Sequence, residues 1–427
     1  MGINIVSWTA KILGAASQFL MIRYLIRFLG IDQYAALAII NAFSIWLLLG
    51  DLGFGSALQN LYTWSRNDLI AKQQLIKMML RIQFSLLIFG IPLTLLLSPL
   101  IGDFLFRSQG DLRLDLTFAF VLSNLIWILI AIGSINYKLL YSEDKGHFSN
   151  ILPAIGSFVS LILVSRLGSF EVTSANLFYL AILFISVPQL IAAGSGVFLF
   201  FSASSRLVRR HSPSAVDIRL RAVSNQAFQF LLTSVLIQAT LNSDYLIMSQ
   251  ISSASEIAQY KIANSFFAFL YSLIYASLLI LWPFCSNALA GGRYNEVIKK
   301  LRTTIYWGSV SIFGFVSLLL LLRRPISFLL SDGEVTLPAQ LLIAFAFLYV
   351  ARLIGDAFAV ALASINKTKV FLAYLPLQLV IGCALSVWLG VWLGVLGIVL
   401  GLLVAFCLTH TWINIWYLYR LRRNFVA

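Results

Sequence analysis

The chain has 427 residues, of which 60% are hydrophobic and 11% charged, with a mean hydropathy of +0.92. A soluble domain carries about 25% charged residues, so this much apolar surface excludes a water-soluble protein and requires lipid as the solvent. The net charge of +14 would suit nucleic acid. The basic residues, however, sit in short loops between apolar runs, a pattern of membrane topology rather than of a nucleic-acid face.

Taken in chain order, the apolar runs predict twelve membrane-spanning helices at about 3–28, 33–58, 78–98, 116–138, 148–167, 176–201, 223–249, 257–282, 304–322, 338–362, 370–390 and 393–418. Helices are required because irregular backbone cannot face lipid. The first run, Ile3 to Phe28, has no short apolar core followed by a small-residue cleavage site, and reads as a first span rather than a signal peptide. Trp8, Trp64, Trp282 and the stretch Trp412 to Tyr419 fall near the ends of runs, where interfacial aromatics concentrate.

The runs carry a faint duplication. Gln33 and Tyr34 recur as Gln259 and Tyr260, Pro99 as Pro325, and the triplet Ser134, Ile135, Asn136 as Ser364, Ile365, Asn366, at offsets of 226, 226 and 230. Each match is short, but the order is shared and the offset nearly constant. Two halves of six spans enter the membrane with the same topology. The expected fold is therefore an all-α integral membrane protein, two six-helix bundles related by a pseudo-twofold axis along the membrane normal, with a site between them. The domains are expected at 1–205 and 223–427, joined by a basic linker at 206–222 that rests on anionic headgroups.

Alternate loops differ in charge. One set (66–81, 138–145, 206–221, 293–302, 367–369 and 420–423) holds 20 Lys and Arg, and the other set holds 7. Under the positive-inside rule this places both termini in the cytoplasm. No loop is long enough for a folded extramembrane domain, which argues against an enzyme such as a membrane glycosyltransferase or polymerase. Cys285, Cys383 and Cys407 have no metal spacing and read as small core residues. His147, His211 and His410 are scattered and suggest no metal cluster.

Charge inside a span costs about 2.5–3.5 kcal/mol on insertion scales, so deep charged residues should face a wet cavity or a partner. The candidates are Lys11, Lys261, Arg352, Asp244 and Asp356, with Asp51, Arg81 and Arg23 nearer the ends. Span 1 places Asn4, Ser7, Lys11, Gly14 and Gln18 on one helical face. Span 2 does the same with Asn41, Ser44, Asp51 and Gly55, span 7 with Gln226, Thr233, Thr240 and Asp244, and span 8 with Lys261, Asn264 or Ser265, Ser272 and Tyr275. For the Ser, Thr and Gly positions, interhelical hydrogen bonding is the simpler reading; for Lys11 and Arg352, the cost of burial favours a cavity. Asp244 and Lys261 lie at similar distances from the turn near residue 252 and are placed to pair. Arg352 and Asp356 are placed to pair at i and i+4. Guanidinium and ammonium groups suit phosphate or carboxylate.

The segment RYLIRFLGIDQY (Arg23 to Tyr34), followed by LGDLGFGSALQN (Leu49 to Asn60), resembles the opening of bacterial polysaccharide transporters, the O-antigen flippases (Wzx). The stretch NSDYLIM from Asn242, with AQYKIA from Ala258, is similar to a second motif of that family. The resemblance implies a twelve-helix fold shared with MATE-type multidrug exporters. It also implies movement of an undecaprenyl-diphosphate-linked oligosaccharide from the cytoplasmic to the periplasmic leaflet of the bacterial inner membrane by alternating access. The implied partners are that lipid-linked oligosaccharide, membrane lipids, a polysaccharide polymerase and a chain-length regulator, but no nucleic acid. The implied cavity residues are Lys11, Lys261 and Arg352 for anionic groups, with Gln18, Asn41 and Asn264 for sugar hydroxyls. No cofactor is expected beyond a coupling proton or sodium ion. The rival reading is a MATE-like, cation-coupled exporter of small organic cations, with Asp51, Asp244 and Asp356 as coupling residues.

Overall fold

A computed structural model describes the chain except residues 1, 48–52, 65–68, 108–112, 144, 209–219, 366, 368 and 427. The described residues are almost entirely helical, in the order α1 (Gly2–Leu47), α2 (Phe54–Trp64), α3 (Leu69–Leu105), α4 (Arg113–Ser142), α5 (Phe148–Ser165), α6 (Ser174–Val208), α7 (Leu220–Ile251), α8 (Ala254–Ala290), α9 (Tyr294–Ser331), α10 (Ala339–Ser364), α11 (Lys369–Leu393), α12 (Val395–Phe406) and α13 (Trp412–Val426). A 3-10 turn follows α5, and a π-helical segment, Cys407–Thr411, joins α12 to α13.

Among the described residues, ten helices are long and apolar enough to cross a membrane. One of them, the α1 stretch Thr9–Ser44, is 36 residues long and reads as two crossings. They are separated at Gly30, whose φ of 76° and ψ of 173° only glycine adopts without strain. The helix α7 is not among the ten, because Gln238, Asn242, Ser243 and Asp244 dilute its apolar run. With α7 the crossings number twelve, as the sequence predicts.

The polarity of the fold is inverted relative to a soluble protein. Phe84, Phe89, Leu96 and Leu100 on α3, Leu321 on α9 and Trp392 on α11 are exposed, while Ser123, Asn136, Ser386 and Asn414 are buried. Exposed apolar side chains cost nothing against lipid, and the buried polar ones join helices. Ser44 Oγ meets Ser123 Oγ at 3.4 Å, Gln83 donates to the Ile132 carbonyl at 3.0 Å, and Asn124 donates to Ser98 at 3.0 Å.

Two spans are longer than the sequence predicts. The third and ninth were expected at 78–98 and 304–322, but α3 runs 37 residues and α9 runs 38. At 1.5 Å per residue each is about 56 Å long, well beyond the roughly 30 Å hydrocarbon core. Their charged first turns extend the helix outside the membrane. Pro99 and Pro325, one of the repeated pairs, lie inside α3 and α9.

The duplicated residues occupy matching places. Tyr34 and Tyr260 are both buried, in the second crossing of α1 and in α8. Ser134 and Ser364 each donate to the carbonyl three residues back, at 2.7 Å, in α4 and α10. Asn366 lies outside the described residues.

The chain divides into two compact units, Met1–Val235 and Leu236–Ala427. In the first, α4 packs against α1, α2, α3, α5 and α6. In the second, α10 packs against α8, α9, α12, α13 and the π segment, while α11 packs along α12. The division falls within α7. Of the linker expected at 206–222, residues 206–208 close α6, 220–222 open α7, and 209–219 lie outside the described residues.

Candidate functional site

The site is assembled on two helices of the second unit. Tyr260, Asn264, Phe267 and Tyr271 share one face of α8; Phe345, Tyr349, Arg352 and Asp356 share one face of α10. The two faces meet as an aromatic ladder. Tyr260 lies 5.0 Å from Phe345, Phe267 stacks on Phe345 at 5.7 Å and on Tyr349 at 5.6 Å, and Tyr271 meets Tyr349 at 5.4 Å. Two hydrogen bonds set the register: the Tyr349 hydroxyl donates to Asn264 Oδ1 at 2.8 Å, and the Tyr271 hydroxyl donates to Asp356 Oδ2. Both pairs are separated by 85 residues, so the helices run parallel.

Arg352 ends this ladder. Its guanidinium lies over the Tyr271 ring at 4.6 Å and 5.9 Å from the Tyr349 ring. Its Nε is 3.5 Å from Asp356 Oδ2. Among the described residues, its two terminal amino groups have no hydrogen-bond partner. The side chain keeps 27% of its surface exposed, which is costly in an apolar span unless water or an anion reaches it.

Asp356 is shared. Oδ1 accepts from His410 Nε2 at 2.9 Å, and Oδ2 accepts from Tyr271. On its other side, His410 Nδ1 lies 2.8 Å from the Tyr374 hydroxyl, whose oxygen accepts from Asn414 Nδ2 at 3.1 Å. Gly355 makes room for this: a Cβ there would lie 2.0 Å from His410 Cδ2. The π segment carries His410 to that place, and Thr411 Oγ1 pins it by donating to the Ala351 carbonyl at 2.9 Å. Widened turns of this kind recur at functional sites.

A second polar group lies at the α7–α8 turn. Asp244 is buried, accepting from the Tyr260 hydroxyl and from the Tyr245 backbone N–H at 2.8 Å. Lys261 does not pair with it directly. Its ammonium lies 5.7 Å from the Tyr245 ring centre, so the two charges share one pocket of tyrosines without an ion pair. Ser253 and Glu256 form a capping box that fixes the start of α8.

In the first unit, Lys11 and Gln18 are exposed on α1 and Asn41 is half-buried. Asp51 and His211 lie outside the described residues, as do the side chains of Asn4, Ser7 and Gln226. The same unit holds a clasp that sequence reading missed. Glu143, just past α4, accepts from Tyr62 at 2.7 Å and from Lys72 at 2.8 Å, with Lys72 4.8 Å from the Tyr62 ring centre. Partial burial pushes the Glu143 carboxyl upward, but the hydrogen bonds from Lys72 and Tyr62 and the charges of Lys72 and Lys145 outweigh it and hold it below its usual value.

Of the predicted site residues, the structure brings Arg352 and Asp356 together directly, and joins Asn264 to the same ladder through Tyr349. His410, Tyr271, Tyr349, Tyr374 and Asn414 were missed. The one available signal was His410 and Asn414 at i and i+4 within the twelfth predicted span. The cysteines do not form one class: Cys285 is buried, Cys383 half-buried and Cys407 exposed.

A family model described as MatE matches residues 230–388, which hold the whole of α8, α9 and α10 and most of α7 and α11. A Yersinia pseudotuberculosis protein named for O-antigen export is 30% identical over 388 residues, covering 89% of this chain and 86% of its own length. A Salmonella typhi protein named as an O-antigen transporter is 26% identical, covering 98% and 95%. Among solved structures, an inward-facing MATE multidrug transporter superposes with a TM-score of 0.75 at 14% identity, covering 99% of this chain and 98% of its own. The lipid II flippase MurJ superposes with a TM-score of 0.70 at 15% identity, covering 98% and 87%. Those two likenesses establish the fold, and the Yersinia relative, similar along nearly the whole chain, establishes the kinship. The chain is a multi-pass membrane protein of the MATE-like fold and belongs to the family of bacterial O-antigen export proteins.

Proposed function

We propose that this chain is a flippase. It moves a polyprenyl-diphosphate-linked oligosaccharide, an O-antigen type of repeat unit, across the bacterial inner membrane by alternating access. The observation that carries the reading is Arg352: a guanidinium held on two tyrosine rings deep in the chain, with its forked end unpartnered. A diphosphate cannot cross bare hydrocarbon, and a fork of N–H donors matches phosphate oxygens. Lys261, over Tyr245, adds a second cation in the same unit. Asn264, Gln18 and Asn41 are the proposed contacts for sugar hydroxyls, and Lys11 for a further anionic group.

Both termini are proposed to be cytoplasmic. A coupling proton or sodium ion, if used, falls to Asp244, Asp356 or Asp51, and a polymerase and chain-length regulator would receive the flipped units. The exporter alternative draws less support, because the relatives that match nearly the whole chain are named for O-antigen export and transport. The test is surface O-antigen in the native host carrying variants at normal membrane levels. Arg352→Ala is expected to abolish display and to leave lipid-linked units in the cytoplasmic leaflet. Arg352→Lys should restore it only in part, since an ammonium cannot reproduce the fork. Full display by Arg352→Ala would sink the assignment.

A further inference from the structure

Arg352 and Asp356 are one helical turn apart with opposite charges, the arrangement that usually closes into a paired fork. Here it does not close. The only approach is through Nε at 3.5 Å, long for a charge-assisted bond. The reason lies with the carboxylate. Its Oδ1 is taken by His410 Nε2 at 2.9 Å and its Oδ2 by the Tyr271 hydroxyl, so both oxygens are satisfied by groups other than the guanidinium's terminal amines.

The far side of the imidazole explains how this is held. A carboxylate only accepts, so Nε2 carries the hydrogen. The Tyr374 oxygen accepts from Asn414 Nδ2 at 3.1 Å, which leaves the Tyr374 hydroxyl hydrogen to donate to His410 Nδ1 at 2.8 Å. Asn414 itself is tied to the Gly355 carbonyl at 3.4 Å. The chain of donors runs one way, from Asn414 to Tyr374 to His410 to Asp356. Three elements (α13, α11 and the π segment) act on one oxygen of α10, and Gly355 leaves the space the ring occupies.

We infer that His410 is a positioning residue for the anion contact: acting through Asp356, it keeps the carboxylate off the forked end of Arg352 and so leaves that fork open to a diphosphate. This rests on the reading of Arg352 given above. Without the imidazole, Asp356 Oδ1 loses its donor in a half-buried setting. The Arg352 fork, one helical turn away, then takes that place, and the site closes on itself.

The test measures binding of undecaprenyl diphosphate, without sugar, to the detergent-purified full chain by thermophoresis. His410→Ala is expected to weaken binding roughly 10- to 100-fold, the scale of lost charged hydrogen bonds. His410→Gln, whose amide N–H reaches the Nε2 position, should bind within about threefold of the native chain. The double variant His410→Ala with Asp356→Asn should recover most of the loss, because a neutral amide cannot lock the guanidinium. A merely structural role for His410 would not be rescued by a second change at Asp356. Native-like binding by His410→Ala overturns the inference, and so does a double variant as weak as His410→Ala. If His410→Ala does not accumulate, His410→Asn replaces it: its amide is too short to reach Oδ1, and equal binding by the Asn and Gln variants also overturns the inference. Weak binding by Arg352→Ala with native binding by His410→Ala would remove only the role of His410. Native binding by Arg352→Ala would remove the Arg352 reading as well.

Discussion

Single residues decide this site through the space they leave and the bonds they complete. Gly355 is the clearest case of space. Its missing Cβ is where the His410 ring edge lies, so Gly355→Ala must push the imidazole away from Asp356. The expected cost is about 1–3 kcal/mol, as for other overpacked interiors, read as a lower melting temperature of the purified protein. Glu143 is the case of bonds. Its folded carboxyl sits below its unfolded value, so its contribution to stability is fully present above the unfolded value, near pH 4.3. That contribution is lost as pH falls through the lower, folded value. The native chain should therefore lose more thermal stability than Glu143→Gln as pH is lowered from about 5. Parallel melting curves for the two would show that the clasp with Lys72 and Tyr62 contributes nothing.

At the scale of elements, breaks matter as much as helices. Gly30 splits α1 into two crossings at a backbone conformation closed to other residues, with no neighbour within 4 Å of an added Cβ. Gly30→Ala should thus cost about 1–3 kcal/mol through strain alone. Gly314 serves as the control. It lies within α9, also with open space around it, and Gly314→Ala should stabilise by about 0.4–1 kcal/mol. Equal melting temperatures for the two variants would show that the break at Gly30 is not needed. The π segment is the second such device, because the same residues wound as a regular helix would present His410 at a different angle to α10.

Across the whole molecule, the loops set the orientation and the lipid sets the polarity. The excess of Lys and Arg in one set of loops predicts that the short turn at Asp332 to Val335 lies outside the cytoplasm. A phosphatase fused there should be active, and one fused after the last residue inactive, while a fluorescent protein at the C-terminal end should fluoresce. The reverse pattern would invert the proposed topology and the direction of transport with it. Both units bury α4 or α10 against most of their neighbours, so the central helix of each half is where polar side chains can be held in fixed register.

Composition alone determined that the chain lives in lipid, because no soluble core can hide so many apolar side chains. Hydropathy then determined the number and order of the crossings, and the nearly constant offset of its repeats pointed to two like halves. Arg352 stood out because a charge in a span is too costly to be incidental, and Asp356 because helical geometry puts i and i+4 on one face. The tertiary structure decided the rest. Nothing along the chain links residue 410 to residue 356 or residue 271 to residue 349, since those contacts depend on how helices pack and on a five-residue π turn that has no hydropathy signal. For the same reason Asp244 takes Tyr260 rather than the expected Lys261. Equal depth in the membrane brings two residues to one level, but only the rotation of each helix decides which side chains meet.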